Sequence, residues 1–436
     1  MSSEWPMVAI GEVADVFDGP HATPKTVDQG PIFLGIGALQ NGRIQLGETR
    51  HVTPEDFKTW TRRVRPESGD VVFSYETRLG EAAIIPEGLE CCLGRRMALV
   101  RADRVRLDPR YFLYQFLSPY FQELIRSQTI PGATVDRIAL KDFPSFEIPL
   151  PPLKEQQAFA EVLGALDDRI DNLRATNATL EAIAQAIFKS WFIDFDPVRA
   201  KMEGREPEGM DAETAALFPS EFEESELGLI PRGWRVQPIG ELTEIVGGST
   251  PDTKNEDYWA PGVFHWTSPK DLSGATAPVL IDTERLVSEA GLTKISSGLL
   301  PPETLLLSSR APIGYLSLSK IPVAINQGYI AMLPGGTLPT VYLYFWTQAN
   351  MEVIKDRSNG STFMEISKKM FRPIPALVPP LAVAGRFAGV AEGFFDRITA
   401  NQRQAHHLSD LRDLLLPRLI SGKISIGAAG AALEAA

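Results

Sequence analysis

The chain repeats itself, and that repeat limits what it can fold into more than any other feature. Residue n placed over residue n+228 sets Gly132 on Gly360, Thr134 on Thr362, Ile138 on Ile366, Lys141 on Lys369 and Phe143 on Phe371. Pro151-Pro152-Leu153 falls on Pro379-Pro380-Leu381, Phe159-Ala160 on Phe387-Ala388, and Asp168-Arg169-Ile170 on Asp396-Arg397-Ile398. Of the 49 positions from 132 to 180, 15 are identical; ordinary residue frequencies would give roughly three. Further back, Trp5 and Ile10-Gly11-Glu12 match Trp234 and Ile239-Gly240-Glu241 at a shift of 229. A unit repeated twice predicts two copies of one domain, each followed by a helix, with pseudo-two-fold character.

The helices are legible from their spacing. After Pro151-Pro152, which pre-set a helix start, apolar residues fall at Phe159, Leu163, Leu166, Ile170, Leu173, Leu180, Ala184, Ile187 and Trp191, with Asn177 in one slot. That alternation of four and three is a heptad seam and predicts one helix from about Leu153 to Phe192. The second copy places Phe387, Ala391, Phe394, Ile398, Ala405, Leu408, Leu415 and Leu419 in equivalent slots, with Asn401 and Arg412 as polar intrusions. Pro417 is expected to end or kink this helix. Polar seam residues suit the setting of register. A plain helical hairpin closing one core is the competing reading; the long stretch of chain between the helices argues for a spacer.

Each half carries short β-like runs bounded by Gly and Pro: Val71–Tyr75, Ala82–Ile85 and Ala98–Arg101, then Thr304–Ser308, Tyr315–Ser319 and Ile330–Leu333. A helical pair follows each set, near Tyr111–Leu117 and Tyr120–Gln128, and near Val341–Thr347 and Met351–Arg357. The expected fold class is α+β: two tandem α/β domains separated by two long antiparallel helices forming a coiled coil. The expected boundaries are 1–152 for the first domain, 153–196 for the central helix, 197–230 for an acidic linker, 231–380 for the second domain, 381–426 for the C-terminal helix and 427–436 for a disordered tail.

The net charge of −12 argues at first against a nucleic-acid binder. It is concentrated, however: Glu203 to Glu226 holds nine acids and one base, a balance of −8, leaving −4 for the rest. Local basic faces remain available, although such a chain is expected to grip DNA weakly without partners. Cys91 and Cys92 are the two cysteines. As sequence neighbours they suit a reducing cytoplasm better than a disulfide framework. The start Met1-Ser2-Ser3-Glu4-Trp5 lacks the features of a signal peptide, and no apolar run suggests a membrane span.

Catalytic signatures are missing. Gly422-Lys423 lacks the upstream glycine of a phosphate-cradling loop. There is no Asn-Pro-Pro-aromatic or Asp-Pro-Pro-aromatic tetrapeptide of the amino-methyltransferase kind. Pro251-Asp252 and Asp252-Thr253-Lys254 overlap where a nuclease carboxylate set would be separated. His21, His51, His265, His406 and His407 show no metal-ligand spacing. The chain reads as non-enzymatic.

Polar and basic loops are where a DNA reader places its contacts. In the first domain the candidates are Lys25, Arg43, Arg62, Arg63, Arg65, Arg78, Arg95 and Arg96, with Tyr75. In the second they are Ser249, Thr250, Lys254, Lys270, Ser308, Arg310, Asn326, Gln327 and Tyr329. Arginine addresses guanine edges or phosphate, while Asn and Gln suit adenine. For any single one of them, a solvated group or local ion pair is the competing reading.

Several stretches resemble the specificity subunits of Type I restriction-modification enzymes. The similarity is densest at Trp191-Phe192-Ile193-Asp194-Phe195-Asp196-Pro197-Val198-Arg199-Ala200-Lys201-Met202, Gly209-Met210-Asp211, Leu217-Phe218-Pro219 and Gly228-Leu229-Ile230-Pro231-Arg232-Gly233-Trp234. It extends to Ile148-Pro149-Leu150-Pro151-Pro152-Leu153, Leu93-Gly94-Arg95-Arg96-Met97, Ser308-Ser309-Arg310-Ala311-Pro312-Ile313-Gly314 and Asn326-Gln327-Gly328, and covers essentially Trp5 to Ile426. The resemblance implies that each target-recognition domain reads one half of a bipartite site in double-stranded DNA. It implies two methyltransferase (modification) subunits using S-adenosylmethionine and two restriction/translocase subunits using ATP and Mg, with those cofactors on the partners and none on this chain. A departure lies at Ala382-Val383-Ala384, where the first copy has Lys154-Glu155-Gln156. A helix from Phe159 to Trp191 spans roughly 50 Å, which implies half-site centres about 10–15 base pairs apart. Rival readings are a subunit of a system with one fused restriction-methylation partner, a self-contained DNA-modifying enzyme, and a protein-only scaffold.

Overall fold

The computed structural model describes residues 5–132, 135–359 and 364–434. Thr134, Gly360 and Thr362 of the repeat, and residues 435–436 of the tail, lie outside the described residues. The chain divides into two compact units, residues 1–170 with 407–436, and residues 171–406. Among the described residues, no helix is long and apolar enough to cross a membrane.

In the first unit a four-stranded sheet has the order β1 (Ala14–Asp18), β7 (Met97–Ala102), β4 (Val71–Ser74), β5 (Ala82–Ile84), all antiparallel. A second sheet has β2 (Val27–Leu34) at its centre, antiparallel to β3 (Arg50–His51) and parallel to β6 (Cys91–Leu93). All four residues of β4 are buried, as suits a central strand covered on both faces. Helix α1 (Pro54–Trp60) starts on the Thr53 side chain, which accepts from Asp56 N, a stabilising N-cap. Helices α2 (Pro109–Leu117) and α3 (Pro119–Ser127) follow, capped by Asp108 and Ser118 with proline at the first turn. Phe73, Phe116, Phe121 and Phe143 pack together beneath them. The long helix α4 runs Leu153–Phe192, as the seam predicts.

The second unit repeats this topology. After α5 (Asp196–Met202) and α6 (Ala212–Ala216), the main sheet has the order β8 (Ile245–Val246), β15 (Tyr329–Met332), β12 (Leu305–Ser309), β13 (Ile313–Ser319), β10 (Val279–Leu280). The smaller sheet centres on β9 (Phe264–Thr267), antiparallel to β11 (Arg285–Val287) and parallel to β14 (Ala324–Ile325). Short helices α7 (Pro269–Leu272) and α8 (Glu289–Leu292), then α9 (Thr340–Ala349), α10 (Met351–Asp356) and the long α11 (Leu381–Ile420) complete it. The six sequence-predicted strands and four predicted helices of the two halves all form.

Three expectations need correcting. The segment read as a linker is folded: α5, α6 and an antiparallel hairpin of Phe222–Ser225 with Gly228–Pro231 occupy it, and Val198, Phe218 and Ile230 enter the core. The acids there sit on exposed edges of a structure held by apolar residues between them. Pro417 does not end α11, which runs on to Ile420. The tail read as disordered carries α12 (Ile426–Glu434) with Ala429 buried, since its Ala content favours helix.

The long helices pair through seams that run antiparallel. In the second unit, Phe188 meets Phe387 at 5.5 Å between ring centroids, and Asn401 Nδ2 donates to Asn177 Oδ1 at 2.9 Å. Both asparagines are buried. The seam rotates along α4, so that Phe188 and Phe192 are buried while Ile187 and Trp191 are partly so. In the first unit, Arg412 Nη1 donates to Asp167 Oδ1 at 2.8 Å, and Leu163, Leu166 and Ile170 are buried.

Candidate nucleic-acid interface

Most of the candidate residues gather at one end of each main sheet, on three loops held by backbone contacts. In the first unit these loops leave β1, join β4 to β5, and join β6 to β7. Gly19 N donates to Met97 O at 2.9 Å, and a Cβ at Gly19 would come within 2.5 Å of that oxygen. Only glycine permits this approach. Tyr75 N donates to Arg96 O at 3.2 Å, and the Tyr75 hydroxyl donates to Asp18 Oδ1 at 3.1 Å. Burial, and then Asp18, push the Tyr75 phenol well above its ordinary range, so it remains a neutral donor. Thr77 sits at φ 69° and Arg96 at φ 72°, uncommon for residues with a side chain and the kind of local strain found at ligand-facing loops.

Arg95 is exposed. Arg96 is held by Glu76, Nε to Oε2 at 3.0 Å, and by the Thr77 hydroxyl. Arg78 reaches Gly37 O and Glu81. Lys25, Arg62 and Arg63 are exposed and, with Arg95, have no hydrogen-bond or ion-pair partner among the described residues. Four candidates lie off these loops: Arg62 and Arg63 follow α1 and line a cleft with the loop after β1, and two others point elsewhere. Arg43 turns to Asp167 on α4, Nη2 to Oδ1 at 3.3 Å, and Arg65 pairs with Glu90 at 2.5 Å.

In the second unit the matching loops leave β8, join β12 to β13 and join β14 to β15. Ser249 N donates to Ile325 O at 3.1 Å, and the Thr250 hydroxyl donates to Gln327 Oε1 at 2.7 Å. Asn326 Oδ1 accepts from Gly328 N at 2.8 Å. Ser309 N donates to Gly328 O. Ser308, fully buried, shapes the turn after β12: its hydroxyl donates to Pro312 O and accepts from Gly314 N and Tyr315 N. Tyr329 is buried against Thr267, their hydroxyls 3.2 Å apart. Ser308 and Tyr329 therefore support the loops, while Thr250 and Gln327 are exposed. Arg310 leans on Glu365 at 3.8 Å, and Lys270 is paired with Glu284 at 2.8 Å. Lys254 is exposed.

Gly19, Gly248 and Thr77 were missed in the sequence. A Cβ at Gly248 would lie 1.8 Å from Ile325 O; its alignment with Gly19 at the 229-residue shift was the available signal. Thr77 offered none, because its φ depends on the loop. Among the described residues no cluster of His, Cys, Asp and Glu suited to a metal ion occurs. Burial pushes the Cys91 and Cys92 thiols up to about 12, which leaves them unreactive core residues.

This doubled arrangement has relatives. The family model for the Type I restriction modification DNA specificity domain matches twice, at residues 2–182 and 231–411. The chain belongs to this family. The two matches are offset by 229 residues, the shift of the N-terminal part of the repeat and one residue more than that of the rest. The chain is 29% identical to the Type I restriction enzyme HindI specificity subunit of Haemophilus influenzae, over 97% of this chain and 100% of that one. It is 36% identical to the MjaIX specificity subunit of Methanocaldococcus jannaschii over 43% of this chain and 44% of that one. The crystal structure of the Type I restriction-modification S subunit from M. genitalium shares the fold, with a TM-score of 0.55 at 18% identity over 96% of both chains. The chain is thus a Type I specificity subunit with two tandem target-recognition domains.

Proposed function

We propose that each unit reads one half of a bipartite DNA sequence through its three loops, and that α4 and α11 dock two modification subunits and set the gap between the halves. The chain itself performs no chemistry. Two S-adenosylmethionine-dependent modification subunits methylate adenine, and two restriction subunits driven by ATP with Mg join the full cytoplasmic assembly. One observation carries this reading: a single scaffold presents the same three-loop edge twice, with different side chains on it. The first edge offers arginines, which suit guanine and phosphate. The second offers the Thr250-oriented Gln327 with Asn326, which suit adenine. Fixing an amide by a neighbouring hydroxyl lowers the ordering entropy of a contact. The acidic balance of the chain supports dependence on partners for phosphate neutralisation.

The test is methylation-sensitive long-read sequencing of host DNA with and without this gene. A bipartite methyladenine motif that vanishes on deletion is expected. A motif that persists, or methyl transfer by the purified chain alone, overturns the reading.

A further inference from the structure

The two units differ at one place where their topology is the same. Strand β1 matches β8 by register against β7 and β15, and α1 matches α8 by its cap, Thr53 for Ser288. Pro20 then stands where Ser249 does, Thr61 where Ser296 does, and Arg62-Arg63 where Ser297-Gly298 does. In the second unit the loop after β8 is fastened to the segment after α8. Ser249 Oγ donates to Lys294 O at 2.9 Å and accepts from Ser296 N at 3.2 Å, and Ser296 Oγ donates to Gly247 O at 3.3 Å.

None of these bonds forms in the first unit. Pro20 has no donor, and the Thr61 hydroxyl turns back to Phe57 O at 2.8 Å. A cleft of about 530 Å³ opens instead, lined by Asp18, Pro20, His21, Trp60, Arg62 and Arg63 among others, with Ala22, Val64 and Leu93 completing an apolar wall. Its one carboxylate, Asp18, is engaged on both oxygens, by the Tyr75 hydroxyl and by His21 Nε2 at 3.0 Å. The two arginines at its rim are exposed and have no partner among the described residues. The volume lies within the range of small-ligand sites, about 300–1,000 Å³.

We propose that this cleft binds one nucleotide, its base against Trp60 and the apolar wall, its phosphate on Arg62 and Arg63. Base–aromatic contact with a cationic rim is the chemistry by which unpaired nucleotides are held, and the arginine fork suits phosphate. The ligand class rests on the nucleic-acid reading above. A nucleotide turned out of bound DNA and a free mononucleotide present the same groups.

The test titrates the full-length chain with deoxyadenosine monophosphate and the other three deoxynucleoside monophosphates, reading tryptophan fluorescence. Binding is expected to weaken at least about tenfold in Arg62→Ala/Arg63→Ala, and to lose its fluorescence change in Trp60→Phe. Deoxynucleosides and inorganic phosphate should each bind more weakly than the nucleotides. The Ser297→Ala control in the second unit should change nothing. No saturable binding, or binding indifferent to the double arginine variant, overturns the proposal. That result would leave the bipartite methylation motif dependent on this gene, whereas failure of the DNA reading shows as a motif that persists without it. The source is distinguished in the complex with its modification subunits. Competition between monophosphate and DNA, with both weakened by the arginine variant, marks a nucleotide of the DNA; monophosphate binding without effect on DNA marks a free ligand.

Discussion

The repeat supplies its own design for replacing the charged node of the first unit. Asp167 accepts from Arg412 Nη1 at 2.8 Å and from the Tyr114 hydroxyl at 2.6 Å, with Arg43 at 3.3 Å. Its side chain is 17% exposed and that of Arg412 is 20% exposed. The Arg412 guanidinium is pushed down by burial, but Asp167 and then Asp413 together more than offset this and raise it. At the equivalent positions the second unit has Phe395 for Asp167, Ala184 for Arg412 and Phe345 for Tyr114. Phe395 and Ala184 are wholly buried, and Phe345 meets Phe395 edge-on at 5.9 Å. Arg412→Ala alone leaves a mostly buried carboxylate with one partner fewer. Full burial would make this about 3–5 kcal/mol; with Arg43 and Tyr114 remaining, we expect about 2 kcal/mol. Asp167→Phe alone leaves the Arg412 guanidinium with Asp413 as its remaining carboxylate and strands the Tyr114 hydroxyl, for about 2 kcal/mol. The triple variant Tyr114→Phe/Asp167→Phe/Arg412→Ala installs the apolar solution and should lie within about 1 kcal/mol of the parent, because a buried ion pair is roughly matched by well-packed apolar groups. The assay is equilibrium urea unfolding followed by far-UV circular dichroism, read as a coupling energy across the set. A triple variant as unstable as the sum of its parts would refute the argument that the node contributes specificity of packing rather than net stability.

In the second unit, Asn177→Leu should destabilise by about 1–2 kcal/mol by stranding the Asn401 amide, while Asn177→Leu/Asn401→Leu should regain the parent's thermal midpoint and lose uniqueness of pairing, seen as broadened NMR side-chain signals. Thr250→Val frees the Gln327 amide and should relax base preference in one half of the methylated motif and leave the other half unchanged, read by long-read sequencing. Deleting seven residues between Phe159 and Trp191 should shorten the gap of that motif or abolish binding; an unchanged gap would sink the spacer role. Stability should also fall in alkali. Burial raises the phenols of Tyr111, Tyr114, Tyr329, Tyr342 and Tyr344 above their ordinary value of 10.0. Their contribution is therefore complete below that value and lost as pH rises above it, because the unfolded chain ionises first. The urea midpoint should drop between pH 9 and pH 11, roughly, and a flat midpoint would contradict the burial of these rings.

The helices and the doubling were legible because both are periodic. Leu153 and Phe192 mark the observed ends of α4, since a heptad seam and a double proline state their own limits. The loops were legible only as composition. Arg43 and Arg95 look alike in sequence, yet Arg43 pairs with a helix while Arg95 is exposed. What separates them is a tertiary partner 124 residues away. Ser308 and Tyr329 were read as contacts because polar groups in loops usually face water, but each is buried and shapes its loop from beneath. The folded acidic segment escaped notice for a related reason: Val198, Phe218 and Ile230 are too widely spaced to show a period, and charge dominates the local composition.

The two copies also show what the scaffold must keep and what it can exchange. Each ties the loop after its central strand to a later segment by an isolated antiparallel bridge, Glu76 with Arg137 in the first unit and Arg310 with Glu365 in the second. The partners are equivalent and the charges are swapped. In the first unit Glu76 is bound by Arg96 and Arg137 is exposed; in the second, Arg310 is the cation beside the turn and Glu365 its neighbour. A backbone bridge uses N–H and C=O groups that every non-proline residue carries, so it places no demand on the side chains at its ends. The tether and the charge it displays are therefore separable. That separation lets one fold hold two recognition edges of different chemistry, and it locates freedom to alter specificity in the bridge residues as well as in the loops they anchor.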